Sequence, residues 1–374
     1  MEDQTAAEVT RGPIPNPGDF RRPYAEPVAA SQELANRAAA VCRRPLPAKA
    51  LREKLVALVR RAVPFGGYNF PLTDPVSRVG TSPLADVPGL SWPQLPTLIR
   101  SRYLTPYCRW DHLLEAGVTA SSLMRETDGH PERSLLWREV QSQLGVSDTA
   151  LIVFADRFGC WGVLDLWRYG GESFTAGELR LLATLARPVT AGLRAAIART
   201  FVDPGRQLHP LGPAVVLLGP GLQVRSQTEA AADALLRLNP PDEPMAPIPA
   251  AAYNIAAALV AQEHGVRIGP PWSQIHLGGS RWVTVKASRL DTDIAVSIEP
   301  STAADRLDIY ARACGLTARE TEVLALLCDG LDTREIADHI VVSEHTASDH
   351  LKAILTKTGA RTRQLLLARG LGTR

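Results

Sequence analysis

Residues 341–343, Val-Val-Ser, join two short helical segments, and three residues are too few to let the second helix fold back antiparallel on the first. That constraint leaves a small angled helix pair as the arrangement for this part of the chain. The segments around it are well punctuated. In "LTARETEVLALLCDG" (316–330), Thr317 stands three residues before Glu320, the capping-box spacing, and Gly330 is placed to end the helix. Val323, Leu324, Leu327 and Cys328 form its apolar stripe. The second segment, 332–340, buries Ile336, Ala337 and Ile340. Ser343 caps a third, 344–358, whose inward stripe is Ala347, Leu351, Ile354, Leu355 and Thr358, and which Gly359 stops. A fourth covers 361–370.

The outward stripe of segment 344–358 is His345, Ser348, Asp349, Lys352 and Thr356, all polar. In a helix-turn-helix the second helix of the pair enters the major groove, with its N-terminal residues at the base edges. Over the whole chain, 41 basic residues nearly balance 39 acidic ones, so net charge does not mark a nucleic-acid binder and any basic surface must be local. From His350 to Arg374 it is local: Lys352, Lys357, Arg361, Arg363, Arg369 and Arg374 occur with no Asp or Glu.

The ordered set Leu316-Thr317, Arg319-Glu320, Glu322-Val323-Leu324, Gly330, Glu335-Ile336-Ala337, Ser343 with Thr346, His350, Lys357 with Gly359, and Arg363 resembles the LuxR-type (GerE- or FixJ-like) DNA-binding domain. The likeness covers about a sixth of the chain. It implies base or groove contact by His345, Ser348, Asp349 and Lys352, and phosphate contact by Thr333, Arg334, Thr346 and Lys357. It also implies a dimerising fourth helix, with Leu365, Leu366 and Leu367 on either the dimer surface or the domain's own core. Implied partners are double-stranded DNA, a second copy of the chain and RNA polymerase, with no membrane. The family usually has valine and then lysine after the threonine, where this chain has Ala347, Ser348 and then Asp349. Asp349 would repel phosphate and could accept from a cytosine amino group.

At 374 residues the chain is long enough for two or three domains. Residues 1–30, with five prolines, read as a disordered tail. "ALREKLVALVRRAV" (50–63) places Leu51, Leu55, Leu58 and Val59 on one helical face, and 134–145 also reads as helix. Two strands, 150–156 and 160–168, are close enough to form a hairpin, and residues 173–200 follow as a helix that Pro188 should kink or divide. This stretch resembles the end of a GAF domain, with Gly162 and Phe174-Thr175 in support. A Pro/Gly-rich linker spans 203–213, and a proline-rich loop spans 239–250. Residues 208–300 resemble a PAS domain, closing with a hairpin of 280–290 and 293–300. In the first strand of that hairpin Trp282, Thr284, Lys286 and Ser288 face one way and Val283, Val285 and Ala287 the other.

The expected fold class is therefore α+β and multidomain. A GAF-like sensory module (31–202) and a PAS-like module (208–300), both antiparallel sheets, precede a linker helix (301–315) and an all-α four-helix helix-turn-helix domain (316–374). The likenesses imply a cavity for a small-molecule ligand, with Tyr107, Trp110 and Phe154 as candidate lining. Haem or flavin could sit there, but no residue identifies either, so the cofactor stays unknown. The alternative is a ligand-free protein-interaction and dimerisation scaffold. No acidic pair with a strand-ending aspartate marks a phosphoreceiver, no phosphate-binding loop G-x-x-x-x-G-K-[ST] occurs, and "YLTPYCRWDHLLEAG" (103–117) lacks the residue order of acyl-homoserine-lactone receptors. The eight histidines form no zinc-hydrolase motif, and His345 and His350, five apart, fall on different helical faces. No enzyme and no metal site are expected. Five dispersed cysteines, an N-terminus unlike an export signal and no apolar run of about 18 residues fit a cytoplasmic protein. The cysteines read as small buried residues or, alternatively, a redox sensor.

Overall fold

The computed structural model describes residues 27–202, 212–238, 249–279 and 281–372, with side chains from residue 31. The expected tail (but for residues 27–30), most of the 203–213 linker and most of the 239–250 loop lie outside the described residues.

The first module opens with α1 (Pro27–Cys42) and α2 (Ala48–Ala62), then β1 (Gly67–Asn69), β2 (Ala85–Asp86), α3 (Leu95–Leu104), α4 (Trp110–Glu115), β3 (Ala120–Ser122) and α5 (Leu123–Glu126). A single π-helical turn, Trp137–Gln141, occupies part of the expected 134–145 helix. The long hairpin β4 (Val146–Asp156) and β5 (Gly159–Tyr169) follows, then α6 (Ala176–Ala183) and α7 (Ala186–Arg199). Gly159 closes the hairpin at φ 144°, and a Cβ there would lie 2.5 Å from the Pro75 carbonyl oxygen, so the turn needs glycine. Proline at 188 has no N–H for the Thr184 carbonyl, and the helix divides where that bond is missing. By length and composition 176–199 could cross a membrane, a stretch that a count of consecutive apolar residues passes over. Here its buried side, including Leu182, Leu185, Val189 and Leu193, packs in the core of the first module.

The second module contains β6 (Ala214–Leu218), β7 (Val224–Gln227), α8 (Glu229–Leu238), α9 (Ala250–Glu263), β8 (Trp272–Gly278), β9 (Arg281–Leu290) and β10 (Asp293–Pro300). Each module forms a five-stranded antiparallel sheet, and in each the spatial order counted along the module is second, first, fifth, fourth, third. The repeat exists in topology without a repeat in sequence.

Besides the first module's own core around Phe70 and Phe154, the two sheets share a core. One apolar cluster runs from Leu98, Trp110 and Val153 in the first module to Ile255, Val285 and Val296 in the second. Its centre is α9, "AAAYNIAAALVAQE", which has almost no polar face and is buried on nearly all sides. Tyr103 ties α3 to it: its hydroxyl accepts from Gly80 N (3.0 Å) and donates to Asn254 Oδ1 (3.0 Å). Buried Asp74 accepts from Val76 N, Ser77 N and, across the modules, Gln274 N at 2.8 Å. Burial pushes its carboxyl above the ordinary range despite those three donors.

The C-terminal part contains α10 (Ala303–Cys314), α11 (Ala318–Cys328), α12 (Thr333–His339), α13 (Glu344–Thr358) and α14 (Arg363–Leu371). α10 touches every other part. Phe201, just beyond α7, stacks on Trp282 of β9 with ring centroids 5.1 Å apart and packs at a tilt against Tyr310 of α10 at 4.9 Å. Arg312 Nη1 donates to Phe158 O (3.2 Å), and Arg306 Nη2 donates to Arg369 O of α14 (3.0 Å). The alternation expected in β9 therefore ends in two buried faces at its start: Val283 and Val285 enter the shared core, while Trp282 enters the cluster around α10.

A shared core predicts that both modules unfold together. Calorimetry of the full chain should show one transition for residues 31–300. Asp74→Ala, which leaves three backbone N–H groups, two of them buried, without their acceptor, should lower the stability of that transition by about 2–4 kcal/mol. Two resolved transitions, only one of them shifted, would contradict the shared core.

Candidate nucleic-acid interface

The C-terminal helices are set by their caps. Thr317 Oγ1 accepts from Glu320 N (3.3 Å), and Glu320 Oε2 accepts from Thr317 N (2.7 Å), so the expected capping box starts α11. Asp332 caps α12, accepting from Arg334 N and Glu335 N at 2.8 and 2.9 Å. The turn then passes through Val341 at φ 55° with its side chain 87% exposed, a costly conformation for a β-branched residue. Arg319 Nη2 donates to Ile340 O (2.7 Å) and holds the end of α12 in place. Ser343 Oγ accepts from Thr346 N (3.1 Å) and starts α13, which ends at left-handed Gly359 as expected.

Ala347, Ile354 and Thr358 of α13 are buried, and Leu351 and Leu355 are partly buried against the same core. The opposite face holds the candidate base-contacting residues. His345, Asp349 and Lys352 are exposed on it, and Ser348 is half-buried. Three of these four form a local charge set. Lys352 Nζ donates to Asp349 Oδ1 (3.0 Å), and His345 Nε2 lies 3.5 Å from Asp349 Oδ2. The Lys352 hydrogen bond, with His345 beside it, holds the Asp349 carboxyl below its ordinary value. Of the candidate phosphate contacts, Thr346 is exposed at the first turn of α13, and Thr333 is half-buried at the start of α12. Exposed Arg334 lies 3.9 Å from Glu344 Oε1.

Lys357 has another occupation. Its Nζ lies 2.7 and 2.6 Å from the two carboxylate oxygens of buried Glu320, bracing the end of α13 against the start of α11. Burial alone would raise the Glu320 carboxyl, but the bonds from Lys357 and Thr317 outweigh it and hold it below its ordinary 4.5. Other members of the basic run are also committed inside the domain: Arg363 donates to Leu331 O, and Arg369 Nη1 donates to Thr358 O (3.1 Å). Spacing could not reveal these partners, because only folding brings the start of α11, the α11–α12 connection and the end of α13 near them. Among the three leucines of α14, Leu366 is buried, Leu367 is partly buried and Leu365 is exposed.

Residues 315–368 match the family described as bacterial regulatory proteins of the luxR family. The C-terminal domain is a LuxR-type helix-turn-helix. The chain is 32% identical over 124 residues to a probable HTH-type transcriptional regulator, GfsR, of Streptomyces halstedii, covering 32% of this chain and 48% of that protein. It is 39% identical over 56 residues to the transcriptional regulatory protein DesR of Bacillus subtilis, covering 15% of this chain and 28% of that one. It thus spans about half or less of the curated relatives it matches. A likeness to the E. coli DhaR(N)–DhaL complex, at 13% identity, covers 74% of this chain and 92% of that chain with a TM-score of 0.24, too low to carry an argument.

The three residues expected to line a sensory pocket are not brought together. Trp110 belongs to the core shared by the two modules, with its Nε1 donating to Arg78 O (2.9 Å). Phe154 packs on Phe70 in the separate core of the first module. Tyr107 is partly buried against the shared core. β4 is buried on both faces, so Val153 faces the core that holds Trp110 while Phe154 faces the other. Among the described residues no group of three or more His, Cys, Asp or Glu could hold a metal ion. All five cysteines are free, and burial pushes the Cys42 and Cys160 thiols up to about 11.

Two outcomes follow. Lys357→Ala should destabilise the helix-turn-helix by about 1–2 kcal/mol near neutral pH, because it strips a charged partner from a buried carboxylate. Glu320 is lowered on folding, so its contribution is present above its ordinary 4.5 and is lost as pH falls through the depressed value. Thermal melts of both proteins between pH 3 and 7 should therefore converge at the acid end; a gap that widens there would refute the pairing. Val341→Gly should stabilise the domain by about 1 kcal/mol in chemical denaturation, as relief of left-handed strain outweighs the added freedom of the unfolded chain.

Proposed function

We propose that this chain is a DNA-binding transcriptional regulator in which α13 reads the major groove and the two N-terminal modules bias its activity through α10. The observation that carries the reading is the solvent-open polar face of α13, held on a capped three-helix core. His345, Ser348, Asp349 and Lys352 lie toward base edges, while Thr333, Arg334 and Thr346 flank them toward phosphates. Lys357 works differently, by keeping α13 seated on α11. Exposed Leu365 on α14 suits a second copy of the chain, and a dimer would meet two half-sites about one helical turn apart. RNA polymerase is the further partner that regulation would require.

Asp349 makes the reading face unusual. It neutralises Lys352 in the free protein and stands where phosphate would be repelled, so it costs general affinity and favours a base edge able to donate. The GAF-like and PAS-like reading of the modules is supported by their five-stranded antiparallel sheets and by their joint hold on α10. A signal that altered their packing would reach the DNA-binding domain through the Phe201 stack and the Arg306–Arg369 contact.

Fluorescence anisotropy with labelled duplex DNA tests this. Asp349→Asn should bind unrelated duplexes more tightly and discriminate less among them. Arg334→Ala should weaken all duplexes and reduce the slope of log affinity against log salt by about one. No binding of the full chain to any duplex at low salt would refute the proposal.

A further inference from the structure

A cavity of about 400 Å³ lies where the first module, the second module and α10 meet. Trp161 and Trp282 form apolar parts of its wall, and Ile309 brings α10 to it. Its charge is one-sided. Arg52 and Arg199 line it, Lys49 stands exposed at its edge, and no Asp or Glu is among the lining residues.

Arg52 is only 1% exposed. Its guanidinium donates to the Ala48, Phe70 and Ser82 carbonyls, yet no carboxylate among the described residues pairs with it. Arg199 likewise has a carbonyl, Leu46 O at 2.6 Å, and no carboxylate. Carbonyls satisfy the geometry of a guanidinium without cancelling its charge. Arg52, almost fully dehydrated, with half-buried Arg199 beside it at one apolar cavity, is costly unless an anion completes the site. Trp282, one of the lining residues, has a buried Nε1 with no hydrogen-bond partner among the described residues. Arg102, comparably buried in the first module, has a carboxylate partner in Asp165.

We propose that this cavity is a binding site for a small amphipathic anion: an aromatic or aliphatic carboxylate whose head lies against Arg52 and Arg199 and whose apolar body covers Trp161 and Trp282. A volume of this size falls in the range of ordinary ligand sites. The inference deepens the signal-binding part of the proposed function and rests on it, because the occupied cavity touches α10 directly through Ile309. It also touches α10 through Trp282, the first ring of the stack that leads by way of Phe201 to Tyr310.

The test is equilibrium dialysis of the full chain against 2-naphthoate and its uncharged counterpart 2-naphthamide, with DNA binding measured in parallel. Saturable one-to-one binding of naphthoate is expected, with the amide roughly tenfold weaker, the worth of one charge-assisted hydrogen bond. Thr200→Trp, which fills the cavity, should abolish naphthoate binding. Lys49→Glu, an exposed change at the rim, should weaken it several-fold in protein whose circular dichroism matches the parent's, and it serves if the filled variant does not fold. Equal affinity for acid and amide, no saturable naphthoate binding, or unaltered binding in the folded variants would overturn the site. DNA binding that persists without naphthoate binding removes the cavity site alone, whereas absent DNA binding removes the regulator reading.

Discussion

The Phe201 ring, held between Trp282 and Tyr310, is the contact on which the arrangement of this molecule depends. Phe201 ends the first module, Trp282 starts the hairpin that closes the second, and Tyr310 belongs to the helix that leads into the DNA-binding domain. Three aromatic rings in one cluster bury far more area than any single hydrogen bond at this junction protects. Arg306 lies over Phe201, 4.9 Å from its ring centre, and donates to α14, so the same cluster reaches the last helix. A change in how the modules pack therefore has a short physical path to the helix-turn-helix.

The shared core gives that path a rigid origin. α9 has alanine on most sides, and a helix without a polar stripe cannot lie on a surface. It is pressed between the sheet of its own module and α3 of the other. Tyr103 with Asn254, and Asp74 with the Gln274 amide, set the register between them. The two modules act as one body, and the cavity at their junction with α10 is a place where a small molecule could bias how that body meets the helix.

Within the DNA-binding domain, charge divides into two kinds. Lys357, Arg363 and Arg369 are spent on Glu320 and on carbonyls of the α11–α12 connection and the end of α13, where they hold the helices at their angles. Lys352 and Arg334 stay on the surface, each near an acidic neighbour. A basic run in sequence is thus only partly a basic surface. Asp349, paired with Lys352, offsets part of what remains.

The local features of this chain were determined by sequence alone, because their causes act over a few residues. Thr317 and Ser343 start their helices through bonds three residues away, Pro188 divides α6 from α7 by lacking one donor, and the hairpin around Phe158-Gly159 follows from two apolar runs and a short turn. The polar face of α13 was legible for the same reason, since 3.6-residue periodicity fixes which side chains share a side. Tertiary structure alone decided what those faces meet. Nothing local tells Lys357 that Glu320 will lie beside it, sends Trp110 and Phe154 into different cores, buries both faces of β9 at Trp282, or gathers Arg52 and Arg199 around one cavity. Those outcomes depend on contacts between residues far apart in the chain, and only the packed three-part assembly brings them within reach.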